Sequence, residues 1–281
     1  MAFRLFNRRG YADPAPEKAK ETPASFLKSL AILAILAWIL RSLIVAPFSI
    51  PSGSMLPTMM IGDYLFVSKW PYGYSRVSFL FGFPSFDGRI FGSMPERGDI
   101  VVFLGPEKAD VVKRVIGLPG DIVAVQGGQI VLNGKTIPRE RVNAVLIPIS
   151  PNSPCRVIPP AVVMVRPMAD GERGCTYPAY RETLPSGRNY VVLDQVDNSD
   201  GDYFGPMTVP NGSIFVMGDN RDDSGDSRFD PPNGVGLVPI DRVVGRAELA
   251  FWSTDGSASW INPISWFTAL RTDRLGTDYH P

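Results

Sequence analysis

The sequence is poor in histidine: its one histidine, His280, is the penultimate residue of a polar C-terminal tail. Chain ends are usually the least ordered part of a protein, so we do not expect a Ser-His-Asp triad on this residue. The same shortage argues against a Cys-His pair and against a histidine-rich metal site. A hydrolytic site in this chain would need another base, and we predict no metal and no cofactor.

The sequence also has a formal net charge of zero and only two cysteines. The 28 basic and 28 acidic residues cancel, so the composition does not indicate a nucleic-acid partner. Glycine and proline are plentiful, at 27 residues each, which favours short strands and turns over long helices. The 281 residues, of which 44% are hydrophobic, allow one large or two modest domains with a real core.

One apolar run, at residues 26–48, is long enough to span a bilayer core, which takes about 20 residues. The preceding tail, residues 1–25, is basic and places the N-terminus in the cytoplasm. We therefore predict a single transmembrane helix with the rest of the chain on the opposite side. The alternatives are a cleavable signal peptide ending at Ala46 and a buried core helix. Pro47 disfavours cleavage at Ala46, and the all-round apolar surface disfavours a buried helix.

A segment rich in Ser, Gly and Pro follows this run, at residues 50–59 (IPSGSMLPTM), and is called the serine loop below. Its prolines restrict the backbone and Gly53 relaxes it, which predicts an irregular loop that exposes a hydroxyl and lets a substrate backbone approach Gly53. The alternative is a plain connector between anchor and domain. If Ser54 is a nucleophile, its base must be a carboxylate or a lysine, and a lysine serves only when burial lowers its pKa from ~10.4 towards neutrality.

Lys113 is a candidate for that base. Short strands rich in Val and Ile are predicted at about residues 99–104, 111–116 and 121–126. Within the second of them, strand alternation puts Lys113 on the same face as Val111 and Val115. An apolar environment would favour the neutral amine. The alternative is a surface lysine at a strand edge.

A third segment, residues 218–228 (GDNRDDSGDSR), is called the acidic box below. A calcium-binding EF-hand loop with its glycine at Gly225 would need a glutamate where Pro231 stands, so this pattern fails. Arg221 and Arg228 among the acids indicate ion pairing instead. A solvated surface turn is the alternative interpretation.

The serine loop, the segments RGDIVVF (97–103) and VVKRVIGLPGD (111–121), and the acidic box follow one another in an order that resembles type I signal peptidase (leader peptidase). This family of Ser/Lys membrane proteases removes signal peptides from exported preproteins. The resemblance covers about residues 26–252. It implies that Ser54 is the nucleophile and Lys113 the general base, with the oxyanion held by the Ser52 hydroxyl and the backbone N–H of Ser54.

The resemblance also assigns supporting residues. It implies that Ser224 orients the lysine, that Asp226 and Arg228 form a structural ion pair beneath the site, and that Arg114 supports it. Val111 departs from the family pattern, because some relatives carry an aromatic residue there. The shape of the substrate pocket is therefore not predicted.

The fold implied by the resemblance is mostly β, of the signal-peptidase and self-cleaving-repressor type. An antiparallel catalytic domain, at residues 49–134 and 211–255, would follow the helix and be split by a smaller inserted β domain at 135–210. An aromatic hairpin at 72–96 packs either in the core or into lipid headgroups. The tail, 256–281, is expected to be either interfacial or docked.

The implied partners are signal peptides and the membrane lipid surface, and the implied location is the bacterial inner membrane, with the catalytic domain on the periplasmic side. The oligomeric state is not predicted. Two alternatives stay open: a specialised relative that processes a pilin or an organelle preprotein, and a membrane-tethered β domain that binds partners without catalysis.

The two cysteines, Cys155 and Cys175, both fall in the predicted insertion. Exposure to an oxidising compartment predicts a disulfide between them, and two unpaired thiols are the alternative. Because the candidate catalytic residues lie elsewhere in the sequence, we expect loss of this bond to loosen the insertion and to leave cleavage largely intact.

Overall fold

The computed structural model describes residues 22–168, 171–259 and 261–280. The chain divides into two compact units, residues 1–38 and 39–281. The predicted basic tail 1–25 lies outside the described residues except for its last four positions.

An apolar helix, α1 (Pro23–Ile39), begins the described chain and continues as a π-helical turn, Leu40–Ile44. Together they form 22 residues that include an 18-residue window with a mean hydropathy of 2.0, which is long and apolar enough to cross a membrane. The predicted span 26–48 is too long at its C-terminal end. Val45 is already extended, with φ −144° and ψ 140°, because Pro47 cannot continue a helix and disfavours helical backbone at the residue before it.

The strands are β1 (Val45–Ser49), β2 (Asp63–Ser68), β3 (Tyr74–Ser75), β4 (Arg89–Ile90), β5 (Ile100–Leu104), β6 (Asp110–Gly117), β7 (Ile122–Gln126), β8 (Gln129–Leu132), β9 (Lys135–Thr136), β10 (Arg139–Arg141), β11 (Val145–Pro148), β12 (Met164–Pro167), β13 (Arg173–Tyr177), β14 (Ala179–Thr183), β15 (Asn189–Leu193), β16 (Tyr203–Thr208), β17 (Ser213–Met217), β18 (Val238–Pro239) and β19 (Val243–Ser253). A short helix, α2 (Ser265–Thr268), lies near the C-terminus. Single 3₁₀ turns occur at Trp70–Tyr72, Arg76–Ser78, Leu80–Gly82, Arg221–Asp223, Ile240–Arg242 and Thr272–Arg274.

One antiparallel sheet organises the second unit, in the order β1-β2-β19-β5-β6-β17-β18. Both of its faces are covered by hydrophobic side chains. Val101 and Val102, adjacent on β5, belong to two different hydrophobic clusters, as strand alternation requires. The predicted fold class, mostly β with an apolar N-terminal helix and an antiparallel sheet, is confirmed.

Two three-stranded sheets, β10-β14-β15 and β11-β13-β12, lie within the predicted insertion 135–210. At its ends, however, β9 pairs with β8 and β16 pairs with β7, so these strands share a sheet with residues outside that range. The limits of the inserted domain, residues 135 and 210, stay a prediction. Strand pairing favours an insertion that begins after β9 and ends before β16. A disulfide joins Cys155 to Cys175 on β13, with their Cα atoms 5.7 Å apart.

The aromatic segment 72–96 divides between core and surface. Phe79 is buried and packs edge-on against Phe86, with ring centroids 5.9 Å apart. Phe81, Phe83 and Phe91 are exposed, at 91%, 71% and 85%. The interpretation as core residues therefore fits Phe79, whereas the three exposed rings are consistent with the alternative, a surface that contacts lipid headgroups.

The C-terminal tail docks on the sheet over its last residues. Tyr279 is 2% exposed, and its hydroxyl donates to Asp63 Oδ2 at 3.1 Å, beside an ion pair between Arg274 and the same carboxylate. His280 contacts Arg246 at 2.9 Å. Further upstream, Ile261 and Phe267 are exposed, and Trp260 lies outside the described residues.

Candidate active site

The serine loop connects β1 to β2 and is held from both ends. Ile50 exchanges backbone hydrogen bonds with Asp63 and Gly62, at 2.8 and 2.9 Å. Inside the loop, the side chains of Met55, Leu56 and Met59 are at most 2% exposed. Burial of three large apolar side chains fixes the loop on the core, so Ser54 sits on a rigid support although it lies outside regular secondary structure.

Lys113 meets Ser54 from β6. Its Nζ lies 2.6 Å from Ser54 Oγ and donates a further hydrogen bond, at 3.2 Å, to its neighbour's carbonyl, Val112 O. The two side chains are separated by 59 positions in the chain. The sheet brings them together because β6 lies in its interior, between β5 and β17.

The environment of Lys113 is apolar. Val101 stands directly opposite on β5 and belongs, with Val115, to one hydrophobic cluster against which Val111 also packs. Lys113 is 4% exposed, which excludes the interpretation as a surface lysine. Burial lowers the pKa of Lys113 to about 8, and carboxylates of the acidic box oppose this effect.

The acidic box holds the serine loop through Asn220, a residue to which the sequence analysis gave no role. The Asn220 backbone N–H donates to Ser54 O at 3.0 Å, and its Nδ2 donates to Gly53 O at 3.0 Å. Gly218 permits this approach, since a Cβ there would lie 2.5 Å from Ser54 O and 2.2 Å from Ser224 Oγ. The motif that carries Asn220 was recognised, but only its three-dimensional contacts reveal this function.

The two supporting serines differ in their contacts. Ser52 Oγ lies 3.4 Å from Ser54 Oγ on the exposed side of the loop. Ser224 Oγ is buried and has no hydrogen-bond partner among the described residues. Its role in orienting Lys113 therefore stays a prediction.

Two buried ion pairs lie close enough to Lys113 for their charges to act on its pKa. Arg114 binds Asp219 through Nε–Oδ1 at 2.8 Å and Nη2–Oδ2 at 2.6 Å. Arg228 binds Asp226 in the same bidentate manner, with both distances 2.9 Å. Burial alone would raise the pKa of Asp226, but the charge and hydrogen bonds of Arg228, with a bond from the Gly218 N–H, hold it below its usual value.

A group of carboxylates also lies at a spacing that could suit a cation. Oxygens of Asp194, Asp202 and Asp222 lie within 4.8 Å of one another, and Arg139 pairs with Asp194. Burial raises the pKa of Asp194 to about 6, with Arg139 opposing the rise and the two neighbouring carboxylates adding to it. The ion pair with Arg139 offsets part of the repulsion among these carboxylates.

Comparison with known proteins gives consistent results. The family described as signal peptidase, peptidase S26, matches residues 24–252. Signal peptidase I of Rickettsia typhi (strain ATCC VR-144 / Wilmington) is 34% identical over 92% of this chain and 94% of its own length. Signal peptidase I of Rickettsia canadensis (strain McKiel) is 35% identical over 91% and 93%. A crystal structure of a signal peptidase I from Enterococcus faecalis V583 covers 55% of this chain and 97% of that one, with 24% identity and a TM-score of 0.28.

The chain belongs to the signal peptidase family, peptidase S26. This membership confirms the resemblance inferred from the serine loop, the Lys113 segment and the acidic box. It also confirms the predicted class of enzyme, a serine peptidase, and the predicted activity, removal of signal peptides from preproteins. The apolar N-terminal helix is compatible with a membrane anchor.

Replacing Arg228 by methionine tests the buried pair beneath the site. Arg228→Met keeps most of the side-chain volume but leaves Asp226 as an uncompensated buried charge, so we expect a loss of about 3–5 kcal/mol in the free energy of unfolding. Denaturant titration of the detergent-solubilised protein measures it. Arg166→Met is the matched control, because Arg166 is exposed on β12. A loss below about 1 kcal/mol for Arg228→Met would contradict the structural role of the pair.

Proposed function

We propose that Ser54 and Lys113 form the catalytic dyad with which this peptidase cleaves preproteins after the last residue of the signal peptide. The observation that carries the proposal is the 2.6 Å separation of Lys113 Nζ and Ser54 Oγ, at a lysine that is 4% exposed. A serine hydroxyl becomes a strong nucleophile only when a neighbouring group takes its proton, and a neutral lysine can do so.

The reaction is an acyl transfer in two halves. Ser54 Oγ attacks the carbonyl carbon while its proton passes to Lys113 Nζ, which then gives that proton to the leaving amine as the C–N bond breaks. In the second half, Lys113 takes a proton from water, and the resulting hydroxide attacks the acyl carbon. The ester C–O bond then breaks as Lys113 Nζ returns the proton to Ser54 Oγ, which restores the neutral amine and the serine hydroxyl. The developing oxyanion is stabilised by the Ser54 backbone N–H and the Ser52 hydroxyl, and the position of Ser52 beside Ser54 supports this role.

The pKa of Lys113 suits this chemistry. The difference between the usual value of 10.5 and a value of about 8 corresponds to roughly 3 kcal/mol in favour of the neutral amine. A general base is most effective when its pKa lies near the working pH, because it is then both unprotonated and basic. We assign orientation of the base to Ser224, and support of the site to Arg114 and the Asp226–Arg228 pair.

Alanine variants test the dyad. Ser54→Ala and Lys113→Ala should each lower kcat for a preprotein by a factor of about 10³ or more while the protein stays folded. Ser52→Ala removes only one oxyanion donor and should cost about 10²-fold. Cleavage is measured with purified full-length enzyme, and folding by thermal unfolding of the same samples. Near-normal kcat in folded Lys113→Ala would rule out the Ser/Lys assignment.

The dependence of activity on pH tests the protonation state of Lys113. Since only the neutral amine is active, kcat/KM should rise about tenfold per pH unit and level off with a half-point near pH 8. The unfolded lysine keeps its proton to higher pH, so the free energy of unfolding should also rise between about pH 8 and 10.5.

A second buried lysine provides the control for this profile. Lys69, whose Nζ donates to Ser78 O, also has its pKa lowered by burial to about 8. Lys69→Met retains the apolar stem and should leave the half-point of kcat/KM unchanged. If the half-point moved in Lys69→Met, the titration would belong to Lys69, and the assignment to Lys113 would be wrong.

We further propose that α1 and its π-helical continuation anchor the enzyme in the bacterial inner membrane, with the N-terminus in the cytoplasm and the catalytic unit on the periplasmic side. Support comes from the mean hydropathy of 2.0 over 18 residues of this segment and from the basic residues that precede the helix. The exposed rings of Phe81, Phe83 and Phe91 support a role for the lipid surface as a partner.

Protease treatment of intact spheroplasts tests this orientation. Protease added outside should digest the bulk of the chain and spare only its N-terminal portion, because everything after the helix would be accessible. A cytoplasmic marker protein must stay intact in the same sample. Protection of the C-terminal region, with digestion only after lysis, would reverse the proposed topology.

A further inference from the structure

Arg156, from the predicted insertion, lies against the serine loop. A Cβ atom on Gly53 would lie 2.6 Å from Arg156 Cδ and 3.0 Å from its Nε, so the arginine side chain covers this glycine. Gly53 is buried as a result and directly precedes Ser54. The sequence analysis expected a substrate backbone to approach Gly53, whereas in the structure it is Arg156 that makes the close approach.

The guanidinium group of Arg156 continues from Gly53 to the acidic box. It binds Asp223 through both carboxylate oxygens, with Nη2–Oδ1 at 2.7 Å and a second contact from Nε to Oδ2. Asn220 Nδ2 joins the same group, at 3.4 Å from Asp223 Oδ2 and 3.0 Å from Gly53 O. Arg156, Asp223, Asn220 and Gly53 thus form a closed set of contacts beside the nucleophile.

The backbone of Arg156 is held from the other side. Its N–H donates to Tyr177 Oη at 2.8 Å, and Tyr177 is 1% exposed. The preceding residue, Cys155, is tied by the disulfide to Cys175, two positions before Tyr177. Two independent connections to β13 therefore fix the point from which the arginine side chain starts.

We propose that Arg156 is a positioning residue for the dyad, held in place by the Cys155–Cys175 bond. It fixes the backbone of Gly53 next to Ser54, and it neutralises Asp223 near Lys113. The proposal rests on the function of Ser54 and Lys113 proposed above.

The expected electrostatic effect of Arg156 on Lys113 follows from the charges that surround Lys113. After burial, the groups that act on its pKa are Asp226, Asp219 and Asp223, which raise it, and Arg228, which lowers it. Each carboxylate has a bidentate arginine partner, and these pairs are Asp226–Arg228, Asp219–Arg114 and Asp223–Arg156. Asp223 is itself faced by Asn220 and Tyr177 besides Arg156. Of these three arginines, only Arg156 comes from the predicted insertion.

Loss of the Arg156 charge would leave Asp223 uncompensated near Lys113. A bare carboxylate stabilises the lysine ammonium, so the pKa of Lys113 would rise and less of the enzyme would be active at a given pH. A residue with a purely structural role would lower activity without moving the half-point of the pH profile. The pH profile therefore separates the two roles.

The experiment compares Arg156→Ala with wild-type full-length enzyme on one preprotein across pH. We expect kcat/KM to fall about tenfold, mostly through kcat, because the nucleophile is less well positioned. The half-point should move up by about half a pH unit. Arg156→Lys, which keeps the charge but not the bidentate geometry, should restore the half-point and only part of kcat. Arg166→Ala is the matched control, since this exposed arginine lies on β12.

The partner carboxylate gives an independent check. Asp223→Asn should move the half-point down, and the double variant Arg156→Ala with Asp223→Asn should return it close to the wild-type value. An Arg156→Ala enzyme with kcat/KM within twofold of wild type, or with an unmoved half-point, would overturn the proposal. Ser54→Ala and Lys113→Ala are assayed alongside to test the dyad itself. If both are inactive while Arg156→Ala behaves like wild type, only the role of Arg156 is refuted.

The disulfide is tested with the double variant Cys155→Ser and Cys175→Ser. From the sequence alone we expect cleavage to survive loss of this bond, because the candidate catalytic residues lie elsewhere in the chain. The contact between Arg156 and Gly53 predicts the opposite: kcat/KM should fall and the half-point should move in the same direction as in Arg156→Ala, by a smaller amount. An unchanged kcat/KM and half-point in a variant shown to lack the bond would overturn the role of the disulfide.

Discussion

The cost of burying a charged lysine is the constraint on which the site depends. An ammonium group taken out of water loses its hydration, so the interior of the sheet favours the neutral amine of Lys113. A surface loop could not provide this environment. An interior strand can, because Val101 stands opposite Lys113 on the neighbouring strand, Lys113 is 4% exposed, and its Nζ lies 2.6 Å from Ser54 Oγ. The hydrophobic packing of the fold thus provides the environment that Lys113 needs for its proposed role as the base.

For its proposed role as the nucleophile, Ser54 must be reached by substrate, and this residue is 9% exposed. Ser54 lies outside regular secondary structure, yet the buried side chains of Met55, Leu56 and Met59 hold its loop as firmly as a strand would. The acidic box adds polar contacts on the other side, through Asn220 to the backbone of Gly53 and Ser54. Rigid positioning of a loop residue is what a near-attack geometry needs, because small displacements are costly for the reaction rate.

Features of the site that depend on short-range sequence patterns, or on the exclusion of other residue types, could be predicted from the sequence. The lack of a usable histidine left a lysine or a carboxylate as the base, strand alternation indicated the apolar face of Lys113, and the acidic box suggested ion pairing. The end of the helix was predicted too late because hydropathy does not register the effect of Pro47 on the backbone. Arg156 was not found, since its partner Asp223 lies 67 positions away and the irregular segment around it has no periodicity from which contacts could be inferred.

The three arginine–aspartate pairs around Lys113 are better explained by the chemistry of the site than by stability. The pairs Asp226–Arg228 and Asp219–Arg114 are buried, and buried ion pairs contribute little net stability because desolvation offsets most of their attraction. The third pair, Asp223–Arg156, is partly exposed, and water screens the attraction in exposed pairs. Without the carboxylates, burial would lower the pKa of Lys113 further and weaken it as a base. Unpaired carboxylates would raise the pKa and keep the lysine protonated. The three carboxylates oppose the effect of burial, and the pKa of Lys113 lies at about 8, near the working pH at which a base is most effective.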